Sequence, residues 1–214
     1  IHGYAQAMLD GTIPYEAQEK YLNIILSETD RLTNLTSNLL ELNSFNGDNV
    51  LLDITTFNIC ETIVQTVNTL EGTAAKKEIS FVLDYNTQKE LLVEADESKI
   101  HQVLYNLIDN AVKFSHNNSE IKISLRKKGA KVFVSVKDSG IGIPKESLNK
   151  VFDRFYKTDI SRGKDKRGTG LGLSISKEIV QAHNQTINVV STVDVGTEFV
   201  FTLKYHSKKQ EASS

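Results

Sequence analysis

The hydrophobic period of this chain changes near residue 44, and that change constrains its fold more than any single motif. Over residues 16–43, Tyr21, Ile25, Leu32, Leu35, Leu39 and Leu42 recur at spacings that alternate between four and three, with one interruption at Glu28. Such a stripe is the seam of a helix bundle, because residues three and four apart share one face of a helix. Upstream, Ile1, Ala5, Met8 and Leu9 share a helical face in IHGYAQAML, and DGTIPYE supplies Gly11 and Pro14 as a turn. Residues 1–45 therefore read as a helical hairpin with a short first arm. That arm has too little apolar surface to cover the seam, so the hairpin wants a partner. A second copy completing a four-helix bundle is the simplest one, and docking as a cap on the residues that follow is the alternative. The chain opens on Ile1 inside this first helical pattern, so a piece of a longer protein is expected.

Beyond SFNGDN the pattern is mixed. Residues 58–77 and 97–114 carry helical periodicity, 79–85 (ISFVLDY) and 91–95 read as extended, and IKISLR and KVFVSVK alternate like paired strands around Gly129. A further helix is expected over 171–184, and TINVVSTV and GTEFVFTLK form a hairpin around Asp194 to Gly196. Residues 206–214 are a polar tail. Strands and helices interleave without regular βαβ alternation, which favours an α+β fold over a doubly wound one. The expected architecture over about 50–205 is a two-layer α/β sandwich, with helices on one face of a mixed sheet.

Composition excludes several classes. A formal net charge of −2 gives no general attraction to nucleic acid or anionic lipid, so electrostatic function must come from local clustering. The single Cys60 allows no internal disulfide and belongs to no metal-type spacing. No apolar run approaches the ~18 residues that span a bilayer, and no signal-peptide pattern is present, so a soluble chain is expected.

Three constellations carry chemistry. On the helix 97–114, Ile100, Val103, Leu104, Leu107, Ile108 and Ala111 form an apolar stripe, whereas Asn106, Asn110 and Lys113 line up on another face at i, i+4 and i+7. Two carboxamide oxygens and an ammonium in a row offer hard oxygen ligands to Mg²⁺ and a point charge for phosphate; a solvated polar face is the plainer alternative. In VKDSGIGI, Asp138 stands at a strand end as an acceptor-only carboxylate, suited to the amino group of adenine and repelling the carbonyl of guanine. Gly140 and Gly142 let the backbone approach a flat base, although a plain turn after a strand has the same composition. Lys145 stands where a dinucleotide fingerprint would need its third glycine, which removes that reading.

The third constellation is Gly168, Gly170 and Gly172, which precede or begin a helix whose unpaired first-turn amides make an anion site. Thr169 after Gly168 removes a P-loop. Between 154 and 167, Arg154, Lys157, Arg162, Lys164, Lys166 and Arg167 outnumber Asp159 and Asp165, a local charge of +4. Such a run is ordinarily a solvated loop. Directly before an anion site it becomes a lid over a polyphosphate, with Phe152 and Phe155 as its apolar anchor.

In sequence and spacing, NLIDNAVKF, DSGIGI, FDRFY, GTGLGLSI and GTEF resemble the nucleotide-binding boxes of sensor histidine kinases of two-component systems. The resemblance implies a Bergerat-type ATP-binding fold over about 50–205, of the gyrase, Hsp90 and histidine-kinase superfamily, preceded by part of a dimerisation and phosphotransfer domain. It implies ATP and Mg²⁺ as ligands, with Asn110 as the main metal ligand and Asn106 beside it. Lys113 would contact phosphate, Phe114 would lie beside the nucleotide and Arg154 would reach the γ-phosphate, which makes Asn106, Lys113 and Arg154 the implied catalytic set. Asp138 would read adenine with Thr197 near the base, and Gly140 and Gly142 would shape the pocket floor. Gly168, Thr169, Gly170, Leu171 and Gly172 would wrap the phosphates. The implied reaction is phosphoryl transfer from ATP to a histidine nitrogen, followed by relay to an aspartate of a response-regulator receiver domain. A homodimer through the hairpin and no nucleic-acid partner are implied as well. So is a place on the cytoplasmic side of the cell membrane, reached only through segments outside these residues.

The family's phosphoacceptor box, a histidine followed by an acidic residue and then a proline, is not in this sequence. His2 is followed by GYAQ, and His101, His116, His183 and His206 fall in the nucleotide domain or the tail. Binding of Mg-ATP without autophosphorylation is therefore expected of these residues. The alternatives are a water-directed ATPase or serine kinase of the same superfamily, and a degenerate nucleotide-binding scaffold. Water-directed enzymes place a glutamate where Asn106 stands, and an amide is no useful proton acceptor at neutral pH.

Overall fold

The computed structural model describes residues 1–44, 51–85, 90–158 and 168–207. Helix α1 (His2–Leu9) turns into the 30-residue helix α2 (Tyr15–Ser44) that the seam predicts. The hairpin is held by Ile13, buried in the turn, and by the rings of Tyr4 and Tyr21, whose centroids are 5.1 Å apart. Along α2 the seam divides. Leu35, Leu39 and Leu42 pack on the layer that follows, Leu42 without solvent contact, whereas Leu32 of the seam (54% exposed) stays open, as do Leu26 (61% exposed) and Leu40 (72% exposed) outside it. One end of α2 is thus docked as a cap, and apolar surface elsewhere on it remains uncovered.

The remaining elements are β1 (Thr55–Asn58), α3 (Ile59–Ala75), β2 (Ser80–Asp84), β3 (Leu92–Ala95), α4 (Glu97–Phe114), β4 (Glu120–Lys128), β5 (Lys131–Lys137), α5 (Lys145–Leu148), α6 (Gly172–Ala182), β6 (Ile187–Thr192) and β7 (Gly196–Tyr205). The strands form one mixed sheet in the order β1-β3-β7-β5-β4-β2, with β6 also on β7. Among the described strands only β2 and β4 pair in parallel. β7 is central: β5 runs along one side of it, from Lys131↔Lys204 to Lys137↔Glu198, while β6 and β3 share the other side. Alternation explains the layering. Ile121, Ile123 and Leu125 of β4 and Val132, Val134 and Val136 of β5 are buried, and Lys122, Arg126 and Lys131 between them are exposed. Helices α3, α4 and α6 close the core with them, as the α+β sandwich expected from the sequence.

Helix α4 positions most of the site and is fixed at both ends. Asp96 caps its start, accepting from the Lys99 N–H at 3.1 Å. At the other end the Lys77 ammonium donates to the carbonyls of Val112 (2.8 Å) and Lys113 (2.7 Å), where a cation meets the negative end of the helix dipole. Between these caps the stripe from Ile100 to Ala111 is buried as its spacing requires. Strand β1 and helix α5 have four residues each, too few to show a period, and neither is legible in the sequence. Among the described residues no helix is long and apolar enough to cross a membrane.

Candidate functional site

One cavity gathers residues of all three constellations. α4 contributes Asn106, Asn110, Lys113 and Phe114, and the segment after β5 contributes Asp138 and Gly142. The approach to α6 contributes Gly168, Thr169, Gly170 and Gly172, and β7 contributes Thr197.

Asp138 is buried at the end of β5, and its backbone N–H donates to the Thr197 carbonyl at 2.9 Å. Its Oδ1 accepts from the N–H groups of Gly140 (2.9 Å) and Thr197 (3.1 Å). Oδ2 is left without a partner among the described residues. Burial pushes the carboxyl above its ordinary value, and the two N–H groups pull it part of the way back. The result is a desolvated acceptor aimed from a rigid strand end. The loop that follows passes so close to the β6–β7 hairpin that a Cβ on Gly142, whose φ is +68°, would collide with the Thr192 carbonyl oxygen. Gly140 lies behind this loop, bridged to Ser115 at the end of α4, and does not line the cavity.

The polar row of α4 faces the same space. The Asn106 side-chain NH₂ donates to the Gly172 carbonyl (3.2 Å) and to Ser176 Oγ (3.4 Å), which ties α4 to the start of α6. Lys113 pairs with Asp109 at 2.7 Å, one turn back. Asn110 is half-buried, and its carboxamide makes no hydrogen bond to any described residue. A half-buried amide without a protein partner fits an oxygen ligand for Mg²⁺, an ion that keeps most of its shell as water and phosphate oxygens. Among the described residues no group of three His, Cys, Asp or Glu offers a competing metal site.

Two more of the expected residues lie off the cavity. Leu171 is fully buried in the core, and Arg154 lies 3.8 Å from Glu178 of α6. The segment 159–167, with Arg162, Lys164, Lys166 and Arg167 of the proposed lid, is outside the described residues. The two flanks of that segment are joined: the Phe155 N–H donates to the Gly170 carbonyl at 2.9 Å, and both residues have left-handed backbones (φ 63° and 74°). The cavity also takes residues that sequence reasoning missed, including Asn38 of α2, Ile143, Tyr156 and Phe199. Phe199 carries a usable signal, since strand alternation turns it inward. Asn38 has none, being one polar residue among many on a long helix.

Comparison with known proteins adds four findings. Residues 95–207 match the family of histidine kinase-, DNA gyrase B- and HSP90-like ATPases. Over 99% of its length the chain is 34% identical to the sensor histidine kinase WalK of Bacillus subtilis (strain 168), and it spans 35% of that protein. Among solved structures, histidine kinase ThkA in complex with response regulator protein TrrA superposes with a TM-score of 0.76 at 32% identity, covering 96% of this chain and 56% of the other. The Acinetobacter baumannii histidine kinase AdeS shares the fold, with a TM-score of 0.79 at 23% identity over 96% of this chain and 93% of its own.

Proposed function

The chain belongs to the histidine kinase-, DNA gyrase B- and HSP90-like ATPases, and from that premise we propose that it is the ATP-binding catalytic part of a sensor histidine kinase. The observation that carries this reading is the meeting of Asp138, Asn110 and Gly170 around one cavity. In it, Asp138 Oδ2 accepts from the 6-amino group of adenine, with Thr197 beside the base and Phe114 alongside the nucleotide. Asn110 holds Mg²⁺ with Asn106 next to it. What the ion would supply there is neutralisation of the phosphate charge. Lys113 exchanges Asp109 for a phosphate oxygen, and the backbone from Gly168 to Gly172 turns N–H groups toward the anion at the positive end of α6. Arg154 reaches the γ-phosphate on leaving Glu178.

Phosphoryl transfer depends chiefly on positioning and charge neutralisation, and a histidine acceptor is itself a competent nucleophile. Asn106 does not activate water, because its amide is no base and its hydrogens are spent on Gly172 and Ser176. None of the five histidines, all among the described residues, lines the cavity, and the proposed acceptor is a histidine outside this span. The onward acceptor is an aspartate of a receiver domain, a reading supported by the response regulator bound to ThkA. Dimerisation through α1 and α2 is supported by the exposed Leu22, Leu26, Leu32 and Leu40. The chain spans between a third and a half of the length of its curated relatives, so stimulus and membrane attachment belong to the whole protein.

Calorimetric titration with a non-hydrolysable ATP analogue, with and without Mg²⁺, tests the assignment. Saturable binding strengthened by Mg²⁺, with the metal's effect lost in Asn110→Leu, is expected. Absence of binding by the folded protein would refute it.

A further inference from the structure

Ser191, on β6, does not line the cavity, yet its hydroxyl sets the chemistry of a group that does. Its Oγ is 2.8 Å from the Ile143 N–H, 2.8 Å from the Gly196 carbonyl oxygen and 2.9 Å from Thr197 Oγ1. A hydroxyl has one proton and two lone pairs. The Ile143 N–H takes one lone pair, and the Gly196 carbonyl, which can only accept, takes the proton. One lone pair is left, so the contact with Thr197 is satisfied when the Thr197 hydroxyl donates to Ser191. With its proton turned away, Thr197 shows the cavity only lone pairs. Beside it is Asp138 Oδ2, also acceptor-only and attached through the Thr197 N–H to Oδ1. The base end of the cavity therefore presents two acceptors side by side.

We propose that Ser191 is a specificity-determining positioning residue: by holding the Thr197 proton away from the cavity, it excludes purines that carry a 6-oxo group. A 6-amino group supplies hydrogens to both acceptors, whereas a 6-oxo group meets lone pairs on both, which is discrimination by repulsion. Loss of the Ser191 hydroxyl frees the Thr197 proton to rotate into the cavity and donate to an oxo group. The inference rests on the ATP reading and assigns the element that sets its base selectivity.

The test compares ATP with inosine triphosphate, which differ in the group at position 6 and in the proton that the oxo form carries on N1, by calorimetric titration of the wild type, Ser191→Ala, Thr197→Val and the double variant. The wild type is expected to prefer ATP, and Ser191→Ala to narrow the preference about tenfold. A purely structural loss weakens both nucleotides alike and leaves their ratio unchanged. In the Thr197→Val background, Ser191→Ala is expected to leave the ratio where Thr197→Val put it, because Ser191 acts through that hydroxyl. If Ser191→Ala does not fold, Ser191→Cys, with its weak thiol donor, gives the same readout. An unchanged ratio in the Ser191 variants, with ATP still bound, overturns the inference and spares the ATP reading. A wild type that binds neither nucleotide overturns both.

Discussion

Replacing Asp138 by asparagine separates recognition from folding. Asparagine keeps a carbonyl oxygen where Oδ1 accepts from Gly140 and Thr197, and it places an NH₂ where Oδ2 meets the cavity. A charge-assisted hydrogen bond to the base, worth about 2 kcal/mol, is lost. Two donors, the new amide and the adenine amino group, then face each other in a desolvated site, which costs about another 1–2 kcal/mol. The sum of about 3–4 kcal/mol corresponds to roughly two to three orders of magnitude in Kd for an ATP analogue. Stability moves the other way or not at all, since the substitution removes a buried charge. The folded-state carboxyl lies above its ordinary value of 3.8 because burial outweighs the two N–H groups. Over the window just above that value the native state binds more protons than the unfolded one, so wild-type stability falls as pH rises through it, and the variant lacks that slope. Calorimetric titration together with thermal unfolding between acid and neutral pH measures both effects. Affinity within about threefold of wild type, in a variant that melts normally, would refute the role given to Asp138.

Three further outcomes follow from the packing. Gly142→Ala puts a methyl against the Thr192 carbonyl on a left-handed backbone, and a loss of at least about 2 kcal/mol is expected in thermal unfolding; a neutral result would contradict the close approach. Leu42→Ala is expected to cost about 3 kcal/mol in urea unfolding, because Leu42 is fully buried, whereas Leu40→Ala, at a site 72% exposed, stays within about 0.5 kcal/mol at low protein concentration. Equal costs would mean that α2 is not docked as described. Burial raises the Cys60 thiol above its ordinary value, so a thiol reagent should react with it only on unfolding; labelling of the native protein at the rate of a free thiol would argue against its burial.

Helix α4 was readable in the sequence along its whole length, since its 18 residues show a complete apolar stripe. Its polar row identified Asn106, Asn110 and Lys113 for the same reason: helical spacing converts sequence into direction. Arg154 shows the limit of such reasoning, because a charge in sequence does not reveal that Glu178 of a later helix stands beside it. Leu171, placed between two glycines, reads in sequence as part of their phosphate loop, although its side chain is turned into the core. Asn38 entered the cavity only through the docking of α2 on the following layer, a tertiary event that no local pattern encodes. The role of Ser191 was hidden in the same way, since three hydroxyl contacts become visible only when the hairpin is folded against the loop at 143.

β7, the last of the described strands, lies in the middle of its sheet. A ribosome therefore delivers β1 with β3, and β2 with β4 and β5, as two separate half-sheets before the piece that joins them exists. Until Tyr205 has emerged, each half-sheet exposes a naked edge of unpaired amides and carbonyls, the surface most prone to wrong pairing. A stop codon anywhere within β7 would leave a sheet with a gap at its centre, and the product should be cleared or aggregate rather than persist as a shortened enzyme.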